Sequence, residues 1–360
     1  MPPKKKKKKG GKKSADADDG DALENLVANY KQACKLIGTE EMRPFISHLL
    51  GENDDEEDEN SVDSSVHLLV QDMPLRPSHT RALAWAIMGN GQGMNQKSYK
   101  RYDSIAFVRT EAGNAGATSF AELMRLGKPL GVEPKSISFI HCNLTAQGCS
   151  MLGKALENGA NDSLVSLTLD YNQFRNEGLS GLIYGLRSNQ CIEYLSLRFC
   201  KLEGAMFGAT ICDLLSNEKT KLNTLNLEGN ALKAKGLSVL SRSLRKNKTL
   251  TSLDLSDNGI DIDYESAAFL AFSHGLESLA NAIERNQTLR SLNFRFNTLG
   301  KEGVKILIPV LSKAHADSRL NKTLKKCFVS SILDKDDFAM LNRNEPLKKG
   351  GGKKKGKKKK

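Results

Sequence analysis

The chain has 360 residues, seven cysteines and a formal net charge of +12, enough length for two ordinary domains or one long repeat array. The charge is uneven: eight lysines fall in 4–13 and nine in 348–360, so everything between the two tails carries −5. An odd cysteine count without C-x-x-C or another metal spacing predicts reduced thiols in a cytosolic or nuclear compartment. No run of about 18 apolar residues is present to span a membrane, and lysines followed by Gly, Asp and Ala do not form a secretory signal.

In chain order, 1–21 is low in complexity, lysines then aspartates, and is expected to be a disordered tail. Residues 22–50 are expected to form a helical N-terminal cap. The stretch "DALENLVANYKQACKLIG" puts Leu23, Leu26, Val27, Tyr30, Cys34 and Ile37 on one helical face, with Gly38 as C-cap. A shorter helix follows, with Pro44 in its first turn and Phe45, Ile46, Leu49 and Leu50 inward. Residues 51–64 are an acidic loop, eight of the twelve residues 52–63 being Asp or Glu.

From 65 to 333 one pattern recurs. The stretch 221–258 reads "KLNTLNLEGNALKAKGLSVLSRSLRKNKTLTSLDLSDN". It holds a strand-like "LNTLNLEGN", a helix-like segment led by Gly236, and then the strand phrase again. Leu225 and Leu227 alternate with Asn226 and Glu228, so the leucines face inward. Leu237, Leu240 and Leu244 recur at helical spacing and form one apolar stripe. A single unit cannot bury its own face and must stack on copies of itself. Taking the final Asn of the phrase as an anchor, the equivalent positions are Met73, Thr110, Cys142, Asn172, Cys200, Asn230, Asn258 and Asn297, with Ile332 in a partial last unit. Residues 260–272 contain an insertion on the strand-to-helix side, and "NGQGMNQKSYKR" and "KAHADSRLN" lie on the opposite side. Residues 334–345 form a C-terminal cap, and 346–360 are a second disordered lysine tail.

A buried Asn can both donate to and accept from the backbone groups that each turn leaves unpaired. Thr does part of this, and Cys tolerates burial and donates weakly. The expected structural ladder is therefore Thr110, Cys142, Asn172, Cys200, Asn230, Asn258 and Asn297, with the Asn297 end contributing less than the middle. Strands need about 4.8 Å of spacing and helices about 10 Å. Stacking all strands on one side and all helices on the other bends the array, strands on the inside of the curve.

The repeated L-x-x-L-x-L-x-x-N phrase, followed by a full helix in units of 28–30 residues, resembles the ribonuclease-inhibitor-like class of leucine-rich repeats. That resemblance implies an α/β leucine-rich repeat solenoid of about eight repeats, a horseshoe with parallel strands on the concave face and helices on the convex face. The same class includes ribonuclease inhibitor, the Ran GTPase-activating protein and ciliary repeat proteins. The lead-in "YKQACKLIGTEEMRPFISHLL" and the lysine-rich ends are similar to repeat proteins of cilia and flagella.

No H-E-x-x-H, G-x-x-x-x-G-K-[ST] or G-x-S-x-G is present, so no catalytic residue, cofactor or metal site is expected. "GNGQG" at 89–93 follows a helix instead of a strand and reads as a loop, and Trp85 reads as core. Positions six, four, two and one before each anchor are expected to line the concave face. They supply an aromatic column, His141, Tyr171 and Phe199, with Tyr194 and Arg198 beside it. They also supply an acidic zone of Asp170, Glu228, Asp254 and Asp257, and at the far end Arg295 and Phe296. Aromatic residues with Arg are what protein-binding hot spots use, and the absence of lysine from this face argues against a nucleic-acid groove. The expectation is a non-enzymatic scaffold, cytoplasmic and compatible with a cilium or a nucleus. Its concave face would hold a protein partner, while the lysine tails hold an anionic surface such as RNA or tubulin tails. The resemblance also implies an alternative, regulation of a small GTPase, and the lysine tails by their charge imply a second, nuclear or nucleic-acid association.

Overall fold

The computed structural model describes residues 15–50, 66–89, 97–157, 162–312 and 320–344. Two helices open it, α1 (Ala15–Ile37) and α2 (Arg43–Leu49). Strands and helices then alternate: β1 (His67–Gln71), α3 (Pro77–Met88), β2 (Ser104–Val108), α4 (Gly113–Leu126), β3 (Ser136–Ile140), α5 (Ala146–Ala155), β4 (Ser166–Thr168) and α6 (Arg175–Leu186). The alternation continues through β5 (Tyr194–Ser196), α7 (Gly204–Leu215), β6 (Thr224–Asn226), α8 (Lys233–Leu244), β7 (Ser252–Asp254), α9 (Ser266–Arg285), β8 (Ser291–Asn293), α10 (Gly300–Leu311) and β9 (Lys326–Phe328). It closes with α11 (Lys335–Leu341) and β10 (Arg343–Asn344).

The strands form one open sheet in chain order, parallel until the last pair. Its register follows the repeat. Ser104, Ser136, Ser166, Tyr194, Thr224, Ser252, Ser291 and Lys326, each six residues before an anchor, lie side by side. The next residues, Ile105, Ile137, Leu167, Leu195, Leu225, Leu253 and Leu292, are buried in a column beneath the helices. Helix stripes such as Leu237, Leu240 and Leu244 close over that column, so every unit's apolar face is buried by its own strand, its own helix and a neighbour.

Helix-to-helix packing is closest where glycine leaves room. A Cβ on Gly185 of α6 would overlap the Gly153 carbonyl of α5, and one on Gly153 would overlap the Gly181 carbonyl. The same relation joins Gly208 of α7 to Gly236 of α8. Backbone-to-backbone approach of this kind is open only to glycine.

Two rows of asparagines tie the units together. In the row at the ends of the strands, the Asn230 amide donates to the carbonyls of Leu197 and Leu227, both at 2.9 Å, while its oxygen accepts from Cys200 N at 3.0 Å and Leu202 N at 3.1 Å. Asn172 repeats this with Phe139, Leu169, Cys142 and Leu144. Cys142 and Cys200 fill anchor positions with weak donors to carbonyls at 3.3–3.4 Å. Asn297 makes as full a set as Asn230, with Leu255, Phe294, Asn258 and Ile260. The expected fall-off toward that end is therefore absent, because Ser330 and β9 cover it. Asn258 is the weaker rung, since its oxygen reaches Leu232 N only at 3.4 Å.

The second row sits in the opposite turns and was not anticipated. Asn189, Asn247, Asn286 and Asn321 are buried. Each donates to a carbonyl of the previous unit and accepts from backbone N–H groups two and three residues ahead.

The ends differ from expectation in three ways. Helix α1 begins at Ala15, seven residues before the expected 22; a run of aspartates suits the first turns of a helix as well as a loop, because the helix N-terminus favours negative charge. Trp85 is half-buried, with the Arg81 guanidinium 4.6 Å above its ring, since it lies toward the side of α3 away from the buried Ala84 and Leu83. The C-terminal cap contains an antiparallel strand, β10, whose Arg343 is buried and donates to the carbonyls of Asn321, Leu324 and Leu311. The expected roles of the tails, the acidic loop and most of "GNGQG" lie outside the described residues.

Candidate partner-binding site

Strands β4 to β9 are only three residues long, so the residues two and one before each anchor lie beyond them. The residue just before each anchor of the ladder, Thr110 to Asn297, is left-handed. Its φ is 52° at Arg109, 53° at His141, 59° at Tyr171, 53° at Phe199, 70° at Gly229, 50° at Asp257 and 58° at Phe296. Such a φ is strained for a side-chain-bearing residue and is held here by the hydrogen-bonded anchor that follows it. The reversal carries the aromatic column from the floor of the sheet to the strand-to-helix rim.

At that rim His141, Tyr171 and Phe199 line a cleft of about 620 Å³ with Asn143, Leu144, Thr145, Gln173, Lys201 and Gly229. The rings of Tyr171 and Phe199 stack at 4.8 Å and 10°. On its other side Phe199 lies so close to Gly229 that a Cβ there would overlap the ring. Tyr171 is 41% exposed, and Phe199 is half-buried between it and Gly229.

Behind the rings lies an ionic network. The Arg198 Nε donates to Glu228 Oε2 at 2.7 Å, and its guanidinium sits 5.8 Å from the Tyr171 centroid and 5.9 Å from that of Phe199. Asp170 is only 5% exposed; it accepts from the Ser196 hydroxyl at 2.7 Å and from Arg198 N at 2.9 Å. Burial pushes the Asp170 carboxyl up, opposed by those two donors and by the Arg198 guanidinium. Asp170 therefore positions Arg198 from below and does not present a charge to solvent, a correction to its expected place in an acidic zone. It stays on the strand face, beside the Ser196 hydroxyl, and is covered there by the Arg198 guanidinium 3.9 Å from its other oxygen.

The other expected residues are dispersed. Tyr194 is half-buried on β5, away from the cleft lining. Asp254 is engaged within the sheet, accepting from Ser256 and from Asn293 at 2.8 Å. Asp257 is exposed. Arg295 covers the Phe328 ring at 4.6 Å, and Phe296 is 68% exposed. The structure thus gathers His141, Tyr171, Arg198, Phe199 and Glu228, with Asp170 beneath, and leaves Tyr194, Asp254, Asp257, Arg295 and Phe296 elsewhere. Lys201, Asn143 and Gln173 were missed. Each directly follows an anchor, a position that joins the rim once the residue before the anchor turns left-handed.

A family model described as "Leucine Rich repeat" matches residues 218–241, 246–262 and 285–307. The chain is 29% identical over 255 residues to mouse (Mus musculus) "NACHT, LRR and PYD domains-containing protein 14", covering 69% of this chain and 24% of that protein. To mouse "Ribonuclease inhibitor" it is 28% identical over 203 residues, 56% of this chain and 41% of the relative. It spans less than half the length of either relative. A solved structure, "Crystal structure of Rad7 and Elc1 complex in yeast", aligns over 88% of this chain and 91% of its own with 12% identity and a TM-score of 0.36.

Proposed function

Because the chain is a leucine-rich repeat protein of the ribonuclease-inhibitor-like class, we propose that it is a non-enzymatic scaffold that holds a protein partner at the rim of the strand face, in the cleft of Tyr171, Phe199 and Lys201. The observation that carries this reading is the pair of stacked rings backed by Arg198, an aromatic–arginine anchor beside a cleft. The rings are fixed before any partner arrives, by Gly229 on one side and the Asp170–Arg198–Glu228 network behind, so little order has to be gained on binding. A relative whose printed name is that of an inhibitor of ribonuclease supports protein binding as the use of such an array.

The test is the double variant Tyr171→Ala with Phe199→Ala. Its thermal midpoint stays within a few degrees, as both rings lie outside the buried columns. Its affinity for partners recovered by affinity purification falls at least tenfold, about 1.4 kcal/mol. Retention of the same partners by the variant would move the site elsewhere.

The seventeen lysines of 4–13 and 348–360 serve in this proposal as auxiliary anchors for a polyanion, RNA or the acidic tails of tubulin, by counterion release. Deleting 1–13 and 348–360 should abolish polyglutamate and RNA binding while leaving the rim partner bound. The C-terminal deletion should matter more, because 52–63 competes for the N-terminal lysines. An affinity independent of salt between about 50 and 200 mM, or one that survives both deletions, would place the anion site on the folded repeats.

A further inference from the structure

One unit breaks the period. Helices α8 and α10 each begin three residues before the glycine that follows their anchor by six, Gly236 and Gly303, whereas α9 begins nine before Gly275, which follows Asn258 by seventeen. The six extra residues carry α9 about 9 Å past its neighbours on the strand-to-helix rim. The loop ahead of it is pinned to the following unit: Ile262 N donates to Thr298 O at 2.7 Å and Asp261 accepts from Thr298 N at 2.6 Å. This protrusion is hydrogen-bonded to its neighbour, yet it turns apolar groups outward. Tyr264 is 74% exposed and stacks on Phe269 at 6.5 Å, Leu270 is 69% exposed, and Phe296 stands exposed on the adjoining rim. Nothing in the repeat's own packing calls for these side chains. Around them stand the exposed carboxylates of Asp257, Asp261, Asp263 and Glu265, and among the described residues no lysine or arginine forms an ion pair with any of the four.

We propose that this protrusion is a second docking surface, distinct from the Tyr171 cleft, whose occupant is a partner segment carrying both apolar side chains and Lys or Arg. Charge complementarity chooses the sign of the segment, and the exposed rings require that it bring apolar area. The chain's own lysine tails meet only half of that requirement, since Met1 and Leu347 are their only large apolar residues. The proposal shares with the previous section only the reading of the chain as an interaction protein.

The probe is a fluorescent synthetic peptide of repeated Lys-Leu-Leu-Lys units, titrated with full-length protein, beside a control peptide with glutamate for lysine. The lysine peptide should bind saturably and the glutamate peptide at least tenfold more weakly. The triple variant Tyr264→Ser, Leu270→Ser, Phe296→Ser should lose at least tenfold in affinity with an unchanged circular dichroism spectrum. The milder pair Asp263→Asn and Glu265→Gln should reduce affinity and flatten its salt dependence. The Tyr171→Ala, Phe199→Ala variant should bind the peptide as the parent does, which separates failure here from failure of the cleft. Equal binding by parent and triple variant would overturn the proposal. So would a tenfold gain on deleting 1–13 and 348–360, which would make the chain's own lysines the occupant. Concentration-dependent dimerisation lost in the triple variant would overturn it in favour of a second copy.

Discussion

Replacing Asn230 with leucine is expected to lower the folding free energy by about 2–4 kcal/mol. Leucine is close in size to asparagine, so the loss does not come from a cavity. It comes from the carbonyls of Leu197 and Leu227 and the N–H groups of Cys200 and Leu202, all left without the amide that joins them. Those groups lie beneath the rim, where water cannot replace the amide. The hydrogen-bond sets order the series. Asn297→Leu should match Asn230→Leu, because its partners are as many and as well placed. Asn258→Leu should be the mildest, as one of its contacts is already stretched to 3.4 Å. Urea denaturation of the three variants measures this, and a larger loss at Asn258 than at Asn230 would contradict the account.

Gly185→Val is expected to destabilise by about 3 kcal/mol or more, at the upper end for overpacking. A methyl at Gly185 meets the Gly153 carbonyl, which is backbone and cannot rotate away. Relief requires α5 and α6 to separate, which opens the packing of Leu152 and Leu182 beneath them. Gly204→Ala is the matched control. It has open space around its Cβ but a φ of +69°, so its effect should be only about 1 kcal/mol. Thermal denaturation of both variants distinguishes a close-approach glycine from a turn glycine, and equal shifts would show that helix spacing is not set at Gly185.

The repeat, the strand register and the strand-end asparagines were legible in the sequence because each depends on spacing alone. Once Leu225 and Leu227 face the core, Thr224 must stand beside Tyr194 and Ser252, as it does. The second asparagine row was equally available, in "NKTL" at 247–250, "NQTL" at 286–289 and "NKTL" at 321–324. It passed unnoticed because polar residues in a turn are ordinarily read as solvated. The candidate site was half legible. Alternation along a strand places Tyr171 and Phe199 in one column, but it fails where the strand stops. The left-handed turn at those positions leaves no compositional mark, since His, Tyr, Phe, Asp and Gly all occupy it here. Asp170 read as surface charge because alternation puts it on the strand face; a long neighbouring side chain, Arg198, covers it there. The close approach of α5 to α6 was beyond reach, because a glycine in a helix looks alike whether or not a neighbouring backbone touches it.

The most direct measurement of the proposed function is position-resolved photocrosslinking in cells. A photoreactive phenylalanine analogue is placed at Tyr171 in the cleft, and in separate chains at Tyr184 and at Met206, both well exposed on helices α6 and α7. The account predicts a discrete protein adduct at position 171 that is absent at 184 and 206, and that disappears when Phe199→Ala removes the ring stacked beneath it. The same adduct at 184 or 206 without one at 171 would contradict it.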